Sequence, residues 1–557
     1  MRTPSMNNIA INVDLLLLNA RIIGGTNEKR ELNTVAVKNG RILAVGAAGE
    51  LDGLNAKHRI QLDNKVLAPG FIDAHNHFMI YCMWLPYLDC RLPLNGDIDE
   101  LFEKISHRSG ELPRGEWIKG WGFADYKVKQ RRFPTLPELD KVAPHNPVGL
   151  IHVSGHSAVV NSKGLESMGI TPQSPDPQGG KIERDPDTGL PSGVLHETAM
   201  LGLSIDSTSR EFVGLPPDQQ MKAIRAGAAE YARMGITTTC DALSAPDILS
   251  IYQSAENQGA LKCRVTAMPY YDSSAAVLDS GLRSGFGSKM FKLGPMKLFG
   301  DGSLSGRTAA VSIPYDGTSN TGILYRSQEM LDDIVQKLDR KNFQIAVHAI
   351  GDRAVEQVVK AYQKVLGKGR PNLKRHRIEH AGILNPDLIQ AMADLDLVAA
   401  VQPRMLYEQG DGFYRSCGEE RIQWVYPYRA LIENGIHVAG SSDCPVVSPD
   451  PILGMRDSIM RKTEEGRILA PSQRLDADMA LRMYTEEAAF SIFEENDIGT
   501  IEEGKLADMV VLSDNPLTTA PDSWSDKLRV EMTIVGGDIV YENSELPQGS
   551  QTRSLDD

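Results

Sequence analysis

The middle of the chain alternates amphipathic segments with short, uniformly apolar ones. Helical spacing of apolar residues over 219–234 leads into an apolar run over 236–241. Four further pairs follow the same pattern: 327–338 with 343–348, 353–366 with 376–380, 387–395 with 397–402, and 427–434 with 436–443. Helices that alternate with apolar strands are typical of a parallel sheet covered on both faces. The pattern predicts an α/β fold, a (β/α)8 TIM-like barrel, in which most of the eight units can be counted.

Both ends of the chain instead contain short alternating β segments. Residues 14–24, 34–37 and 41–45 are predicted strands, and Asn39-Gly40 is a preferred pair for a type I′ hairpin turn. Similar segments return over 506–512, 530–535 and 538–542, around Gly536-Gly537. Neither end is a complete domain by itself. We therefore expect one β-sandwich assembled from residues 1–68 and 497–557.

A long region between the first strand of the barrel and the rest breaks this rhythm. Residues 96–220 are rich in Pro, Gly and Asp, especially over 171–191. We expect an insertion domain over one end of a barrel that starts at 69–95 and continues through 221–496. Trp117, Trp121 and Phe123 lie in this region. They belong to the core of the insertion or, alternatively, to a substrate pocket.

Charge and cysteine usage narrow the class of protein. The 557 residues carry a net charge of −14, which disfavours nucleic acid and anionic membranes as partners. Six cysteines are scattered without a C-x-x-C pair, a pattern typical of reduced thiols in the cytoplasm. No apolar run is long enough to span a bilayer. We expect a cytoplasmic homo-oligomer, most simply a dimer, that acts on a small molecule.

Candidate chemistry lies at the predicted strand ends, where a parallel barrel places its catalytic groups. His75 and His77 are two residues apart, so a strand directs both imidazoles to one side. Later strand ends supply Lys297, His348, His380 and Asp443. Taken singly, His348 and His380 could be buried structural histidines, and Asp443 could cap the following helix. Lys297 is harder to explain, because a buried lysine is costly unless it is paired or chemically altered.

Four imidazoles and a carboxylate suit zinc and, less selectively, manganese, cobalt or iron. Such a site lowers the pKa of bound water, and a carboxylate at its edge can move a proton. No G-x-S-x-G motif anchors a serine hydrolase. The residues therefore predict metal-assisted hydrolysis.

Several motifs in order resemble the amidohydrolase superfamily, and specifically amidohydrolase family 3, the branch of the YtcJ-like proteins and N-substituted formamide deformylases. The motifs are Pro69-Gly70-Phe71-Ile72-Asp73-Ala74-His75-x-His77, Asp301-Gly302-Ser303-Leu304, His348-Ala349-Ile350-Gly351-Asp352-Arg353-Ala354, Ile378-Glu379-His380-Ala381, Ser442-Asp443-x-Pro445-Val446 and Gly504-Lys505-x-Ala507-Asp508. They span nearly the whole chain. One departure is Val153-Ser154-Gly155-His156, where relatives often have an acidic residue before Gly-His.

The resemblance implies one or two divalent ions, most simply zinc. His75, His77 and Asp443 would hold one ion, His348 and His380 the second, and Lys297, carboxylated by carbon dioxide, would bridge them. Asp443 would also shuttle the proton of a metal-bound hydroxide that attacks a carbonyl. Contacts to substrate or to the ligands are expected from residues spread over four segments: Trp121, His156, Asp301, Arg307, Asp352 and Arg353.

The implied activity is hydrolysis of a C–N bond in an amide, formamide or cyclic amide. Two alternatives remain open at this point. One is a metal-dependent deaminase of an aminated ring, and the other is a catalytically silent barrel that serves as a scaffold. Metal content and release of ammonia would distinguish these three.

Overall fold

The structure is a computed structural model that describes residues 11–25, 32–153, 157–177, 180–203, 215–367 and 371–543. The chain divides into two compact units. The first comprises Met1–Phe78 and Gly227–Asp557, and the second Met79–Ala226. The elements below are those of the described residues.

The strands are, in chain order, β1 Asn12–Leu18, β2 Arg21–Ile22, β3 Thr34–Lys38, β4 Arg41–Gly46, β5 Asn55–Gln61, β6 Val66–Pro69, β7 Phe71–Asn76, β8 Leu88–Asp89, β9 Ile118–Phe123, β10 Val148–His152, β11 Ser157–Val160, β12 Gly180–Arg184, β13 Pro191–Glu197, β14 Ile236–Ser244, β15 Arg264–Pro269, β16 Phe291–Leu293, β17 Met296–Phe299, β18 Ile345–Ala349, β19 Arg377–His380, β20 Val398–Val401, β21 His437–Gly440, β22 Met509–Leu512, β23 Val530–Val535 and β24 Asp538–Glu542.

The α-helices are Phe78–Trp84, Ile98–Glu111, Leu136–Val142, Ser162–Ser167, Pro217–Arg233, Pro246–Asn257, Ala275–Asp279, Gln328–Arg340, Asp352–Leu366, Pro386–Asp394, Arg404–Glu408, Gly410–Arg421, Tyr428–Glu433, Pro451–Met460, Ala477–Met483, Glu486–Ser491 and Trp524–Lys527. Short 3-10 turns lie at Asp125–Lys127, Thr198–Leu203, Tyr271–Ser273, Ile422–Trp424, Pro471–Gln473 and Pro521–Ser523.

Two parallel sheets form the centre of the first unit. Their strand orders are β16-β15-β14-β7 and β17-β18-β19-β20-β21. At one seam Tyr270 forms a parallel bridge with Lys297. At the other, the backbone N–H of Asp443 donates to the carbonyl of His75 at 2.8 Å. Helices alternate with these buried strands as predicted, and the arrangement is consistent with a TIM-like barrel.

Local signals place the helix boundaries well. Helix Gln328–Arg340 begins after Ser327, whose hydroxyl accepts a hydrogen bond from the backbone N–H of Met330 and so caps the helix. Apolar residues of the helix, among them Leu331 and Val335, are buried. Their spacing of three to four positions is the pattern that predicted the helix.

Strands from both ends of the described chain share one sheet, of order β2-β6-β22-β23-β24, beside a second sheet of order β4-β3-β1-β5. Asn39 and Gly40 have φ of 51° and 74°, as a type I′ turn requires. The prediction of one strand over 14–24 is wrong, because it is two strands. Asn19 adopts a left-handed φ of 54° between β1 and β2, and that conformation interrupts the extended chain.

The second unit is built on a six-stranded sheet of order β12-β13-β11-β10-β9-β8. Trp121 is 7% exposed and packs against Trp84, with ring centroids 5.6 Å apart. The guanidinium of Arg91 lies 4.6 Å from the Trp121 ring. Phe123 is buried in the same unit. These contacts favour the core interpretation of the aromatic residues over the pocket interpretation.

All six cysteines are free and buried, in keeping with the reduced thiols expected from their spacing. Among the helices in the described ranges, none combines the length and the hydropathy needed to cross a bilayer.

Candidate metal centre

Six predicted residues come together at the carboxyl ends of the parallel strands. His75 and His380 have ring centroids 5.0 Å apart, and those of His348 and His380 are 4.4 Å apart. His77 Nε2 lies 3.1 Å from Asp443 Oδ1. Lys297 Nζ lies 3.4 Å from His75 Nε2. The convergence that the strand-end pattern predicted is present in the fold.

Each histidine has at least one ring nitrogen beside an acceptor. His75 Nδ1 donates to the Glu379 carboxylate, and His77 Nδ1 lies 3.2 Å from the carbonyl of Ala242. His348 Nε2 donates to the carbonyl of Gly302 at 3.0 Å. His380 Nδ1 is 2.8 Å from Gln402 Oε1, and the Gln402 amide nitrogen donates to Ser441 Oγ at 2.9 Å.

These acceptors assign the tautomers. A carbonyl or a carboxylate only accepts, so the nitrogen facing it carries the proton. The other nitrogen then has a lone pair: Nε2 in His75 and His380, and Nδ1 in His348. The rule assigns no tautomer to His77, because both of its ring nitrogens face oxygen acceptors, the carbonyl of Ala242 and the carboxylate of Asp443. Fixing one nitrogen in this way is the usual means of orienting a histidine that binds a metal.

Electrostatics keep three of the imidazoles neutral. Burial lowers the pKa of His348 to about 3, and burial together with neighbouring positive charge lowers the pKa values of His75 and His380 well below the usual range. Neutral imidazole is the form that binds a metal ion. These three histidines are therefore ready to act as ligands without losing a proton.

The donor set fits a divalent cation. Ligand atoms of His75, His380 and Asp443 lie within 4.8 Å of one another, and all three residues are buried. Neutral nitrogens and a carboxylate oxygen without thiolates suit zinc and its first-row neighbours. The residues thus fit the kind of ion that the strand-end pattern predicts.

The comparisons with known proteins agree with this geometry. The sequence profile of the Amidohydrolase family matches residues 59–541. The chain belongs to the amidohydrolase family. It is 30% identical to N-substituted formamide deformylase of Arthrobacter pascens over 95% of this chain and 99% of that protein. It is also 30% identical to the putative amidohydrolase YtcJ of Bacillus subtilis (strain 168), over 92% and 96% of the two chains.

A solved structure is also similar to this amidohydrolase. It is an uncharacterized metal-dependent hydrolase from Pyrococcus horikoshii OT3, with a TM-score of 0.74 and 25% identity over 91% of this chain and 99% of the other. The family prediction is confirmed. Together with the His75, His380 and Asp443 group, these likenesses support a hydrolase that acts on C–N bonds and uses a divalent metal.

Two of the converging residues have unusual backbone conformations. His380 has φ of 73° and Asp443 has φ of 59°, in the left-handed region that residues other than glycine seldom occupy. Such conformations cost of the order of 1 kcal/mol or more and cluster at functional sites. Both residues turn sharply where their strands end, which directs their side chains toward the other strand ends.

Lys297 is 1% exposed. Of the residues that the structure describes, only His75 lies within hydrogen-bonding distance of its Nζ. Burial lowers the pKa of Lys297 to about 8. The amine is therefore unlike a surface lysine, which is solvated and fully charged.

The sequence motifs did not identify the residues that hold the histidines in place. Glu379 and Arg377 are both unexposed, and Arg377 donates to Glu379 through Nε at 2.8 Å and Nη2 at 2.7 Å. Asp73 accepts hydrogen bonds from the backbone and hydroxyl of Ser442, and burial raises its pKa to about 7. The sequence did contain a signal for Arg377 and Glu379, because two charged residues at alternate positions of an otherwise apolar strand indicate a buried ion pair.

Other predicted contact residues have structural partners. Asp301 accepts three backbone N–H bonds, from Ala310, Ile350 and Gly351, at 2.8 to 3.0 Å. Its carboxylate therefore stabilises the loops, and His348 Nε2 lies 3.6 Å from it. Burial raises the pKa of Asp301 to about 7.

The remaining contact residues lie in loops or helix starts. Asp352 accepts from the backbone N–H of Ser312 at 2.8 Å. Arg353 and Arg307 make long hydrogen bonds, to Thr321 Oγ1 at 3.4 Å and to Ser416 Oγ at 3.3 Å. Trp121 lies in the second unit, whose core it joins, and His156 lies outside the described residues.

The alternative that Asp443 caps the following helix is wrong. Helix Pro451–Met460 is capped by Asp450, whose carboxylate accepts from the backbone N–H groups of Ile452 and Leu453. The side chain of Asp443 stays 11% exposed beside His77. It is free for a role at the centre.

Proposed function

We propose that this amidohydrolase hydrolyses the C–N bond of an amide, a formamide or a cyclic amide with the help of one or two zinc ions. The observation that carries the proposal is the group of four histidines at the strand ends, three of which have tautomers fixed by protein acceptors. A core of structural histidines has no need to direct three lone pairs into one place. The similarity to N-substituted formamide deformylase supports the substrate class.

We assign the ligands as the sequence predicted. His75, His77 and Asp443 would hold one ion, and His348 and His380 would hold a second. Lys297, as a carbamate formed with carbon dioxide, would be a ligand to both. Its burial, with an imidazole and the ring of Phe299 beside Nζ, supports this assignment, because an ammonium without a hydrogen-bonded carboxylate beside a cation site would be costly.

The ion would polarise the substrate carbonyl and lower the pKa of a coordinated water. Asp443 would accept the proton of the attacking water and return it to the leaving nitrogen. Its exposure supports this role. Asp443 has an 11% exposed side chain, whereas those of Glu379 and Asp301 are fully buried and already engaged. Of these carboxylates, Asp443 is the one that can exchange protons with solvent.

The same proposal includes the architecture. We infer that the two parallel sheets close into a distorted TIM-like barrel, that residues from both termini form one β-sandwich, and that residues 96–220 are an insertion domain. The bridge of Tyr270 with Lys297 and the backbone bond from Asp443 to His75 support closure at the two seams.

The test is a metal and substrate screen on the purified protein. We expect about one or two zinc ions per chain, loss of activity on chelation and recovery on adding zinc. A panel of formamides, amides and cyclic amides then identifies the substrate by amine or carboxylate release. Absence of bound metal with no activation by divalent ions would contradict the proposal, and ammonia release from an aminated ring would favour a deaminase.

A further inference from the structure

The four histidines of the centre differ in what holds them. Ala242 and Gly302 hold His77 and His348 through backbone carbonyls, and a neutral amide, Gln402, holds His380. His75 is held by a carboxylate that lies outside the predicted ligand set, that of Glu379. A carboxylate acceptor makes a stronger, charge-assisted hydrogen bond than a neutral one.

The carboxylate of Glu379 is fully engaged. Arg377 Nε donates to Oε1 at 2.8 Å, and Arg377 Nη2 donates to Oε2 at 2.7 Å. Oε2 also receives the Nδ1 proton of His75. Both oxygens therefore face donors, and neither can turn away without breaking a bond to Arg377.

Arg377 also fixes the strand that carries His75. Its Nη2 donates to the carbonyl of Ala74 at 2.8 Å, the residue directly before His75. One guanidinium thus binds both the backbone next to the histidine and the carboxylate that orients the ring. All of these side chains are 0–1% exposed, so water does not substitute for the contacts.

We infer that Arg377 and Glu379 form a positioning pair that fixes the tautomer of His75 and so determines the affinity of the centre for its metal ion. The inference rests on the proposed function, since it assumes that His75 binds the ion through Nε2. A charged pair inside a strand is costly to bury. The inference gives this costly pair a role, which is to direct the lone pair of His75 Nε2 toward the centre.

Replacing Glu379 by glutamine gives a specific failure. The amide has one N–H2 group, and every position around the old carboxylate faces a donor. If the amide nitrogen takes the Oε2 position, it donates toward His75 Nδ1 and drives the proton to Nε2, the nitrogen that would bind the metal. If it takes the Oε1 position, it opposes Arg377 Nε. The first arrangement changes the tautomer of His75. The second displaces Arg377, which also binds the backbone directly before His75.

The chain offers a matched control in a second buried pair. Arg264 donates to Asp508 through Nε at 2.6 Å and Nη2 at 2.8 Å, and these side chains are 8% and 2% exposed. Asp508 lies by the opposite end of β7, where its carbonyl accepts from the backbone N–H of Gly70. Asp508→Asn therefore breaks a similar ion pair without touching a histidine of the centre.

The experiment compares zinc affinity in wild type, Glu379→Gln and Asp508→Asn. Each protein is stripped of metal and titrated with zinc against a chromogenic chelator, and its thermal unfolding is measured without metal. We expect Glu379→Gln to bind zinc about 10- to 100-fold more weakly than wild type, while Asp508→Asn keeps wild-type affinity despite a lower melting temperature. Equal zinc affinity in Glu379→Gln and wild type would overturn the inference.

A second variant keeps the test decisive if Glu379→Gln does not fold. Glu379→Asp keeps the charge and the acceptors but withdraws them by one methylene. If the inference is right, Glu379→Asp binds zinc more weakly than Asp508→Asn, although its thermal stability is equal or greater. Stronger zinc binding by Glu379→Asp than by Asp508→Asn would overturn the inference. Failure of the proposed function looks different, since wild type itself would then bind no zinc.

Discussion

Histidines in two regions of the molecule meet hydrogen-bond acceptors in different ways. At the strand ends of the first unit, His75 and His348 are buried and each gives one nitrogen to an acceptor. In the second unit His196 is engaged through both nitrogens, with Nδ1 2.9 Å from Ser157 Oγ and Nε2 3.2 Å from Glu183 Oε2. Its side chain is 31% exposed. Among the described residues, His348 keeps one ring nitrogen without a hydrogen-bond partner and His196 keeps none, and this difference separates a candidate ligand from a structural histidine.

The largest effect is expected from replacing the carboxylate of Asp443, at the strand ends of the first unit. Asp443→Asn should lower kcat by about 10²- to 10⁴-fold, because an amide cannot accept and return a proton. Steady-state kinetics on the substrate found by the screen measures it, and zinc content of the same samples separates loss of proton transfer from loss of metal. Asp450→Asn is the control, since Asp450 only caps a helix. A wild-type kcat in Asp443→Asn would exclude the assigned role.

A buried lysine and a partly buried one give the next test. Lys297 has an imidazole as its partner, whereas Lys292 is paired with Glu494 and donates to the carbonyl of Ile492 at 3.2 Å. Lys297→Met should lower the zinc bound per chain, because it removes a bridging ligand. Lys292→Met should destabilise the protein and leave zinc content unchanged. Elemental analysis after dialysis measures the zinc content of both variants. Full zinc content in Lys297→Met would argue against the carbamate.

A smaller effect is expected from an ion pair of the second unit. Arg132 lowers the pKa of Glu138 to about 2, and Glu138 also completes the capping box of helix Leu136–Val142. Glu138→Gln should cost about 1 kcal/mol or less, because the pair is partly exposed and screened by solvent.

The pH dependence of this cost has a definite sign. A lowered pKa stabilises the folded state above the unfolded value of 4.5, and this contribution is lost as the pH falls toward 2. The difference in unfolding free energy between wild type and Glu138→Gln should therefore shrink between about pH 5 and pH 3. Denaturant unfolding at several pH values measures it, and a difference that grows in acid would contradict the assignment.

The smallest expected effect completes the comparison. His196→Ala should leave zinc affinity unchanged and alter the unfolding free energy by about 0.5 kcal/mol or less, as is usual for partly exposed residues. His348→Ala should weaken zinc binding. A loss of zinc affinity in His196→Ala equal to that in His348→Ala would remove the distinction between the two regions.

The convergence of the candidate ligands could be predicted from sequence because strand ends in a parallel barrel have a fixed relation to function. The hydrophobic pattern located the five strands that it predicted in the barrel to within about three residues, as for residues 343–348 against the observed Ile345–Ala349. His348, His380 and Asp443 then followed from their positions. The order of motifs supplied the family.

The parts that sequence did not supply depend on the paths of loops. The carbonyls of Ala242 and Gly302 orient two histidines, but every residue has a carbonyl, so no side chain marks them. Asp301 was expected to contact substrate or the ligands; it accepts three backbone N–H bonds and lies 3.6 Å from His348 Nε2. A carboxylate after a strand has the same sequence signature in both cases.

The contact between Asp73 and Ser442 has a consequence for biosynthesis. These residues are 369 positions apart in the chain, and they join the strand that bears His75 to the segment that bears Asp443. A chain emerging from the ribosome presents its histidines long before Asp443 is made, while domains fold as units once their residues are available. The centre can therefore be completed only after nearly the whole chain has been synthesised, and capture of the ion belongs to the last stage of maturation.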